Sequence, residues 1–374
     1  MKKLFYSLFA ILFRVFRLFP VKDNLAVFLA PHNGGANDSL NELKRYVDEK
    51  TDLKTEYLRS FGLGAGDLFS FFFRGAYLLA RAKYVFLNDN FMPLSSLSFS
   101  GKTIITQLWH GEGAFKKFGL MTDLPAEIKN REIKSGKKLT YVVCSSENVR
   151  DIYSQAFGTD RERILPLGSA RLDRLMEINN SPELREEFNH AFPSRKGKKI
   201  VLWAPTFRDD EALDREITSR IDIDMFNREL GDECVLMIKL HPQVHSSEVP
   251  AGAIDVTEMD MMALTAFCDI LITDYSSACM LFAALGKPCV FYCYDIDSYR
   301  GARDFCFGYE DYIPGPAETG FEGVISDIKA FLKGEKNPRN DEKLIRFRDF
   351  NFDFIDSRNC ERIAKAIISQ DNFQ

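Results

Sequence analysis

A chain of 374 residues, 45% of them hydrophobic, can bury a large core and has length for more than one domain. A formal net charge of -5 supplies no global basic field, which sets nucleic acid aside as a partner. Eight cysteines without a CxxC pair, several in apolar runs such as those of Cys144, Cys234 and Cys289, read as reduced, buried cytoplasmic thiols and not as a disulfide framework or a zinc site.

Residues 1–20, MKKLFYSLFAILFRVFRLFP, have no small-x-small cleavage site, and Arg14 and Arg17 cut the apolar run below the length that spans a bilayer. Read as a helix, the segment sets Phe5, Leu8, Phe9, Leu12, Phe16 and Phe19 beside Lys3, Arg14 and Arg17. That pattern is expected of a cationic amphipathic helix lying in the cytoplasmic membrane surface, a peripheral attachment to anionic lipid. The competing reading is a helix packed on the protein's own core.

Strands then alternate with helical stretches, the α/β pattern. Leu25–Ala30 is a strand that runs into a glycine-rich loop, 31–38, and a helix from about Leu40; the loop lacks GxGxxG and is no dinucleotide fingerprint. Phe69–Ala82 reads as a helix and Tyr84–Leu87 as a strand ending at Asn88-Asp89. Lys102–Trp109, KTIITQLW, is a strong strand that stops at His110. A histidine there lies at the carboxyl edge of a parallel sheet, where open α/β folds bind ligands, and imidazole can take a proton from an alcohol. The alternative is a structural histidine bonded to a nearby loop. Lys116 and Lys117 either attract an anionic substrate or are plain surface lysines. Leu139–Cys144 and Ile164–Leu167 are further strands with a helix, Val149–Phe157, between them; Arg171 and Asp173 follow as candidates to bridge domains or touch substrate.

The polar, proline-bearing run Glu177–Lys199 marks a domain boundary, giving 21–180 as the first domain and 195–374 as the second. Ile200–Ala204 opens the second as a strand, with Arg208 expected in the crevice at its end and the acidic run Asp209–Ser219 a loop or lid. Cys234–Leu240 is a strand ending at His241, and Thr257 and Asp260 stand at capping-box spacing. In the stretch 268–300, Ile270–Thr273 is a strand, Ser277–Leu285 a helix with Gly286 as its C-cap, and Cys289–Tyr294 the next strand. The helix start, with Asp274, Ser276 and Ser277, either holds phosphate or is merely capped. The tail Asn359–Ile368 carries Ile363, Ala364, Ile367 and Ile368 at helical spacing and is expected to pack on a domain face, with a return to the first domain left open.

Six separated segments carry a resemblance: QLWHGEGAFKKFG at 107–119, GSARLDRL at 168–175, LWAPTFRD at 202–209, IKLHP at 238–242, LITDYSS at 271–277 and LGKPCVFYCYDIDSY at 285–299. In this order they resemble the teichoic-acid CDP-glycerol glycerophosphotransferase family of primases and polymerases. The resemblance implies a GT-B-like fold, two Rossmann-like domains facing across a cleft, with the donor nucleotide mainly in the second. It implies action on lipid-linked acceptors, an undecaprenyl-linked saccharide or a growing polymer, at the cytoplasmic membrane face. His110 and His241 match the two active-site histidines. Arg208, Thr273, Asp274, Ser276, Ser277 and Lys239 fall in segments expected to meet the donor, and Asn37, Lys116, Lys117 and Arg171 on the acceptor side.

The implied reaction is attack by an acceptor hydroxyl on the β-phosphorus of CDP-glycerol or CDP-ribitol, with CMP leaving. His110 is expected as general base and His241 as the phosphate-facing partner, the reverse assignment being open. No tightly bound cofactor and no metal ligand set is implied; Mg²⁺ is compatible with the chemistry but not required by it. The acidic Glu112 departs from the family's pattern, as do Met280 and Leu281 where many members carry an acid. The alternatives are ribitol-phosphate transfer, a GT-B sugar-nucleotide glycosyltransferase of envelope polysaccharide synthesis, and a non-catalytic membrane-bound scaffold.

Overall fold

Runs that are apolar on both faces, such as Leu25–Ala30 and Ile200–Ala204, are what a strand covered by helices on either side requires, and both lie fully buried in parallel sheets. The computed structural model describes residues 2–32, 38–59, 69–193, 197–208, 216–241, 244, 248–297, 299 and 305–373. Asn37 and the glycine-rich loop around it, most of the acidic 209–219 stretch, and the Lys3 and Phe5 side chains lie outside the described residues. The chain divides into two units, Met1–Arg174 with Asp353–Gln374, and Leu175–Phe352.

The first unit contains β1 (Lys22–Ala30), β2 (Lys54–Arg59), β3 (Ala82–Leu87), β4 (Ile104–Gln107), β5 (Tyr141–Cys144) and β6 (Ile164–Pro166) in the order β2-β1-β3-β4-β5-β6, all parallel. The order reverses between β1 and β3, so the loops after these two strands flank the sheet's switch point, the usual ligand crevice of such sheets. The tail forms the helix Asn359–Ile367, whose Ile363, Ala364 and Ile367 enter one core cluster with Ala26, Phe28, Leu43 and Val47. Asp173 caps it, its carboxylate accepting from the Asn359 and Cys360 amides at 2.9 and 2.7 Å. Gly168, at φ +96°, leaves no room for a Cβ, which would lie 1.8 Å from Asn359 Oδ1. Asp173 is therefore a cap within the first unit.

The amino-terminal helix, Lys2–Phe16, is two-faced. Phe9 and Phe13 are fully buried, Phe9 against Phe71, Phe72 and Phe91 and Phe13 against Phe99. Leu8, Ile11 and Val15 are exposed on the helix, and Leu18 and Phe19 just beyond it, with Arg14 and Arg17 also exposed. Phe9 thus belongs to the core and not to the outer apolar surface, because one helix face is used for packing and the remaining apolar side chains exceed what that contact can cover. Among the described residues no helix is long and apolar enough to cross a membrane. The helix expected over Phe69–Ala82 is a π-turn, Phe71–Gly75, followed by the α-helix Ala76–Arg81, and Ala82 already belongs to β3.

The second unit contains β7 (Lys199–Ala204), β8 (Cys234–Ile238), β9 (Ile254–Asp255), β10 (Ile270–Thr273), β11 (Cys289–Tyr292) and β12 (Ala317–Glu318) in the parallel order β12-β11-β10-β7-β8-β9. Here the switch point lies between β7 and β10, beside Thr206 and Asp274. The helix after β10, Ala278–Ala284, is buried from Cys279 to Ala284, which accounts for Met280 and Leu281 as core residues. Gly286 follows it at φ +64°. Asp260, not Thr257, caps the helix Met261–Phe267, accepting from the Met262 and Ala263 amides. No disulfide joins any of the eight cysteines, and seven are buried.

Candidate active site

In the first unit the site is built on the end of β4. Gln107 is buried; its Nε2 donates to the Asp89 carbonyl at 3.0 Å and its Oε1 accepts from the Trp109 amide at 3.0 Å. One side chain thereby ties the β3 and β4 loops together. Trp109 has φ +59°, a left-handed conformation that an aromatic residue adopts only when its surroundings over-determine it. Its indole stacks on Phe118, meets Phe157 edge-on, and lies 4.1 Å centroid to centroid from the His110 ring.

The turn at Trp109 turns His110 outward, with its side chain 41% exposed. His110 Nδ1 lies 3.1 Å from the Asn88 carbonyl oxygen and 3.7 Å from Asp89 Oδ2. A carbonyl can only accept, so Nδ1 carries the proton and Nε2 holds the lone pair. The backbone behind it is fixed: Arg171 Nη1 donates to the His110 carbonyl at 2.8 Å, Tyr153 Oη to that of Gly111 at 3.0 Å, and Ser39 Oγ to that of Trp109 at 2.7 Å. The Gly113 amide donates to Ser145 Oγ at 2.9 Å.

Glu112, which departs from the family's pattern, is an anchor. Its side chain is 4% exposed and pairs with Arg171 at 3.1 Å while accepting from Ser169 Oγ at 3.0 Å. A buried carboxylate requires such partners, and Arg171 is bonded to this loop through Glu112 and the His110 carbonyl. Lys116 and Lys117 follow, half-buried. Sequence reasoning did not single out Asn88, Asp89 or Gln107; the available signal was a polar pair ending the strand next to that of His110.

In the second unit Arg208 departs from expectation. Its side chain is 5% exposed, and its guanidinium pairs with Asp274 Oδ2 at 2.9 Å and Asp295 Oδ2 at 2.7 Å while Nη1 donates to the Thr206 carbonyl at 2.6 Å. Tyr275, Tyr294 and Tyr299 surround it at 5.3–5.4 Å from their centroids. Burial alone would lower its pKa; the Asp274 and Asp295 carboxylates outweigh that and raise it. Two carboxylates on one guanidinium leave no surplus positive charge for a phosphate. Arg208 therefore joins the β7 and β10 loops, and Asp274 completes the joint by accepting from the Thr206 and Tyr275 amides at 2.8 and 2.6 Å.

Thr273 and Lys239 are likewise structural. Thr273, fully buried, donates to the Ala204 carbonyl at 2.7 Å. Lys239 Nζ donates to the carbonyls of Thr257 and Met259 at 2.5 and 2.7 Å, and burial lowers its pKa against the pull of Asp260. Ser276 is half-buried and its Oγ accepts from the Ala278 amide at 3.2 Å, making it the local cap. Ser277 is exposed, and its hydroxyl makes no cap hydrogen bond. His241 is half-buried, its ring 4.7 Å from that of Phe207. Among the described residues no three His, Cys, Asp or Glu side chains converge as a metal site.

A family profile described as CDP-Glycerol:Poly(glycerophosphate) glycerophosphotransferase matches residues 11–369. The chain belongs to that family. A teichoic acid poly(ribitol-phosphate) polymerase of Bacillus spizizenii is 33% identical over 98% of this chain and 60% of its own length. A teichoic acid glycerol-phosphate primase of Bacillus subtilis is 29% identical over 79% of this chain and 75% of its own. The chain spans about 60% of the length of the first curated relatives it matches. The solved wall teichoic acid polymerase TagF superposes with a TM-score of 0.78 at 24% identity, covering 95% of this chain and 92% of that one. The likeness gives the fold, GT-B, with two Rossmann-like lobes. In this glycerophosphotransferase-family chain the motif residues Arg208, Lys239, Thr273 and Asp274 hold loops, while His110 and Ser277 present side chains outward.

Proposed function

We propose that this chain transfers an alditol phosphate, in the first reading glycerol phosphate, from its CDP ester to a lipid-linked teichoic-acid-type acceptor. The observation that carries the reading is His110: an exposed imidazole with Nδ1–H spent on the Asn88 carbonyl and Nε2 left basic, at a sheet's carboxyl edge. An acceptor hydroxyl attacks the β-phosphorus and its proton passes to Nε2. The bond from that phosphorus to the bridging oxygen breaks, the electron pair goes to CMP, and the new phosphodiester remains on the acceptor. His241 and the Ser277 hydroxyl are assigned to the donor's phosphoryl oxygens, and Arg208 and Asp274 to holding the loop that presents them. Mg²⁺ is compatible with this scheme as an added counter-charge.

A second reading, ribitol phosphate as the transferred group, is favoured by the 33% identity to a ribitol-phosphate polymerase. The apolar residues Leu8, Ile11, Val15, Leu18 and Phe19, beside Arg14 and Arg17, support peripheral attachment to the cytoplasmic face of an anionic membrane, where an undecaprenyl-linked acceptor or growing polymer would be met. The test is incubation with CDP-glycerol and CDP-ribitol in turn, together with undecaprenyl-linked saccharides, reading products by mass. CMP release with one alditol phosphate added supports the transfer; release of a nucleoside diphosphate from a sugar nucleotide would overturn it.

A further inference from the structure

A cavity of about 210 Å³ in the first unit has Trp109 in its wall. We infer that it seats a neutral, hydroxyl-rich unit of the acceptor, a polyol or sugar residue, through Asp89, Asn90, Glu132 and Ser135. The inference rests on the transferase reading and names the acceptor subsite next to its base.

The walls are of two kinds. Phe91, Leu94, Leu139 and Phe157 supply apolar surface, and the four polar residues line the same space together with Gln107, whose amide is already spent on Asp89 and Trp109. No lysine or arginine lines it, so a phosphate has no counter-charge there, whereas carboxylates and amides suit hydroxyl groups. The volume falls below that of drug-sized sites, roughly 300 Å³ upward, and matches a single small unit.

Hydrogen-bonding capacity is left over. Asn90 Nδ2 donates to Glu132 Oε1 at 3.0 Å, which holds the carboxylate and leaves Oε2 without a hydrogen bond among the described residues. Ser135 is 6% exposed, and its Oγ, closed off from water-sized contact, has no hydrogen-bond partner among the described residues, so a turn about its Cα–Cβ bond is needed to offer it to the cavity. A buried hydroxyl without a partner is costly, and a ligand hydroxyl would remove the cost. Burial also pushes the Glu132 carboxyl above the usual range, against the pull of Asn90.

The walls are built for close packing. A Cβ on Gly136 would lie 1.8 Å from the Phe157 carbonyl oxygen, and one on Gly119, at φ +55°, 2.3 Å from that of Ala156. The cavity reaches the base through two shared residues: Trp109 lines it and packs on His110, and Asp89 lines it and lies 3.7 Å from His110 Nδ1. A unit seated there is held beside the group that deprotonates the acceptor.

The full chain can be titrated with glycerol, ribitol and methyl N-acetylglucosaminide while tryptophan fluorescence is read. The chain has two tryptophans, and the other, Trp203, is buried in the second unit. One probe should change the emission saturably, and the identity of that probe separates a polyol from a sugar. Glu132→Gln, which keeps an acceptor for Asn90, and Ser135→Ala should abolish or weaken that change and raise the acceptor KM about tenfold, leaving the CDP-alditol KM in place. No emission change with any probe, or an unchanged acceptor KM in both folded variants, overturns the subsite. A wild type that releases no CMP from any CDP-alditol overturns the transferase reading instead, and the titration then still decides the cavity.

Discussion

The carbonyl oxygen of Asn88 accepts from His110 Nδ1 at 3.1 Å, and this contact sets which ring nitrogen can act as a base. Replacing His110 by alanine should lower turnover by about 10²–10⁴-fold while CDP-alditol binding, measured by calorimetry, stays near that of the wild type. Near-normal turnover in a folded variant would remove His110 from the mechanism.

The two serines after β10 should separate cleanly. Ser276→Ala removes the Oγ that accepts from the Ala278 amide and should cost roughly 0.5–1 kcal/mol of stability. Ser277→Ala removes an exposed hydroxyl that makes no cap hydrogen bond, so its melting temperature should not move while its CDP-alditol KM rises. Equal effects of both changes on melting and on KM would contradict the assignment.

Arg208→Ala leaves the buried Asp274 and the half-buried Asp295 without their cation, a loss expected to cost about 3–5 kcal/mol in denaturant unfolding. Arg208→Lys should recover little of it, since an ammonium cannot bond both carboxylates in the planar fork geometry. If Arg208→Ala melts like the wild type yet no longer binds donor, the arginine is a phosphate ligand after all.

The two faces of the amino-terminal helix predict opposite phenotypes. Phe9→Ala and Phe13→Ala, at fully buried positions, should each cost about 3–5 kcal/mol. Ile11→Glu and Leu18→Glu, at exposed positions, should leave stability alone and weaken flotation with anionic liposomes. Unchanged flotation in the double glutamate variant would sink the membrane assignment.

Lys287 supplies a pH signature. Its Nζ donates to the carbonyls of Thr265, Ala266 and Cys268 at 2.7–2.8 Å, and burial pushes its pKa down to about 8 from the usual 10.5. Between those values the folded protein releases its proton before the unfolded chain does, so stability rises with pH across the window. Measured against Lys287→Met by urea unfolding, the wild type should gain on the order of 1–3 kcal/mol between about pH 7.5 and 10. A gap that stays constant with pH would count against this.

Much of the scaffold could be read from local sequence. The strand before His110, the strand before Asp274 and the glycine at 286 follow from apolar runs and turn chemistry, which act over a few residues. What a charged side chain is doing could not be read the same way. Arg208 finds Asp295 87 positions away, and Asp173 finds Asn359 186 away. A charge at the end of a strand looks available until its distant partner is known: Arg208, Lys239 and Arg171 were expected near substrate, and each is tied to loops of its own unit. Glu112 shows the converse: it departs from the family's pattern, and its burial with Arg171 gives it a structural task that local sequence does not reveal. Thr257 was misplaced for a related reason: its hydroxyl accepts from the Leu240 amide, a partner that capping spacing does not reveal.

The helix Asn359–Ile367, packed among side chains from residues 26–47, has a consequence for the order of assembly. During synthesis the sheet of the first unit leaves the ribosome early but lacks part of its core until these late residues emerge. The whole of the second unit, 175–352, is translated in between and needs no later segment. The second unit should therefore reach its final form first, with the first unit's apolar surface open to chaperones in the meantime.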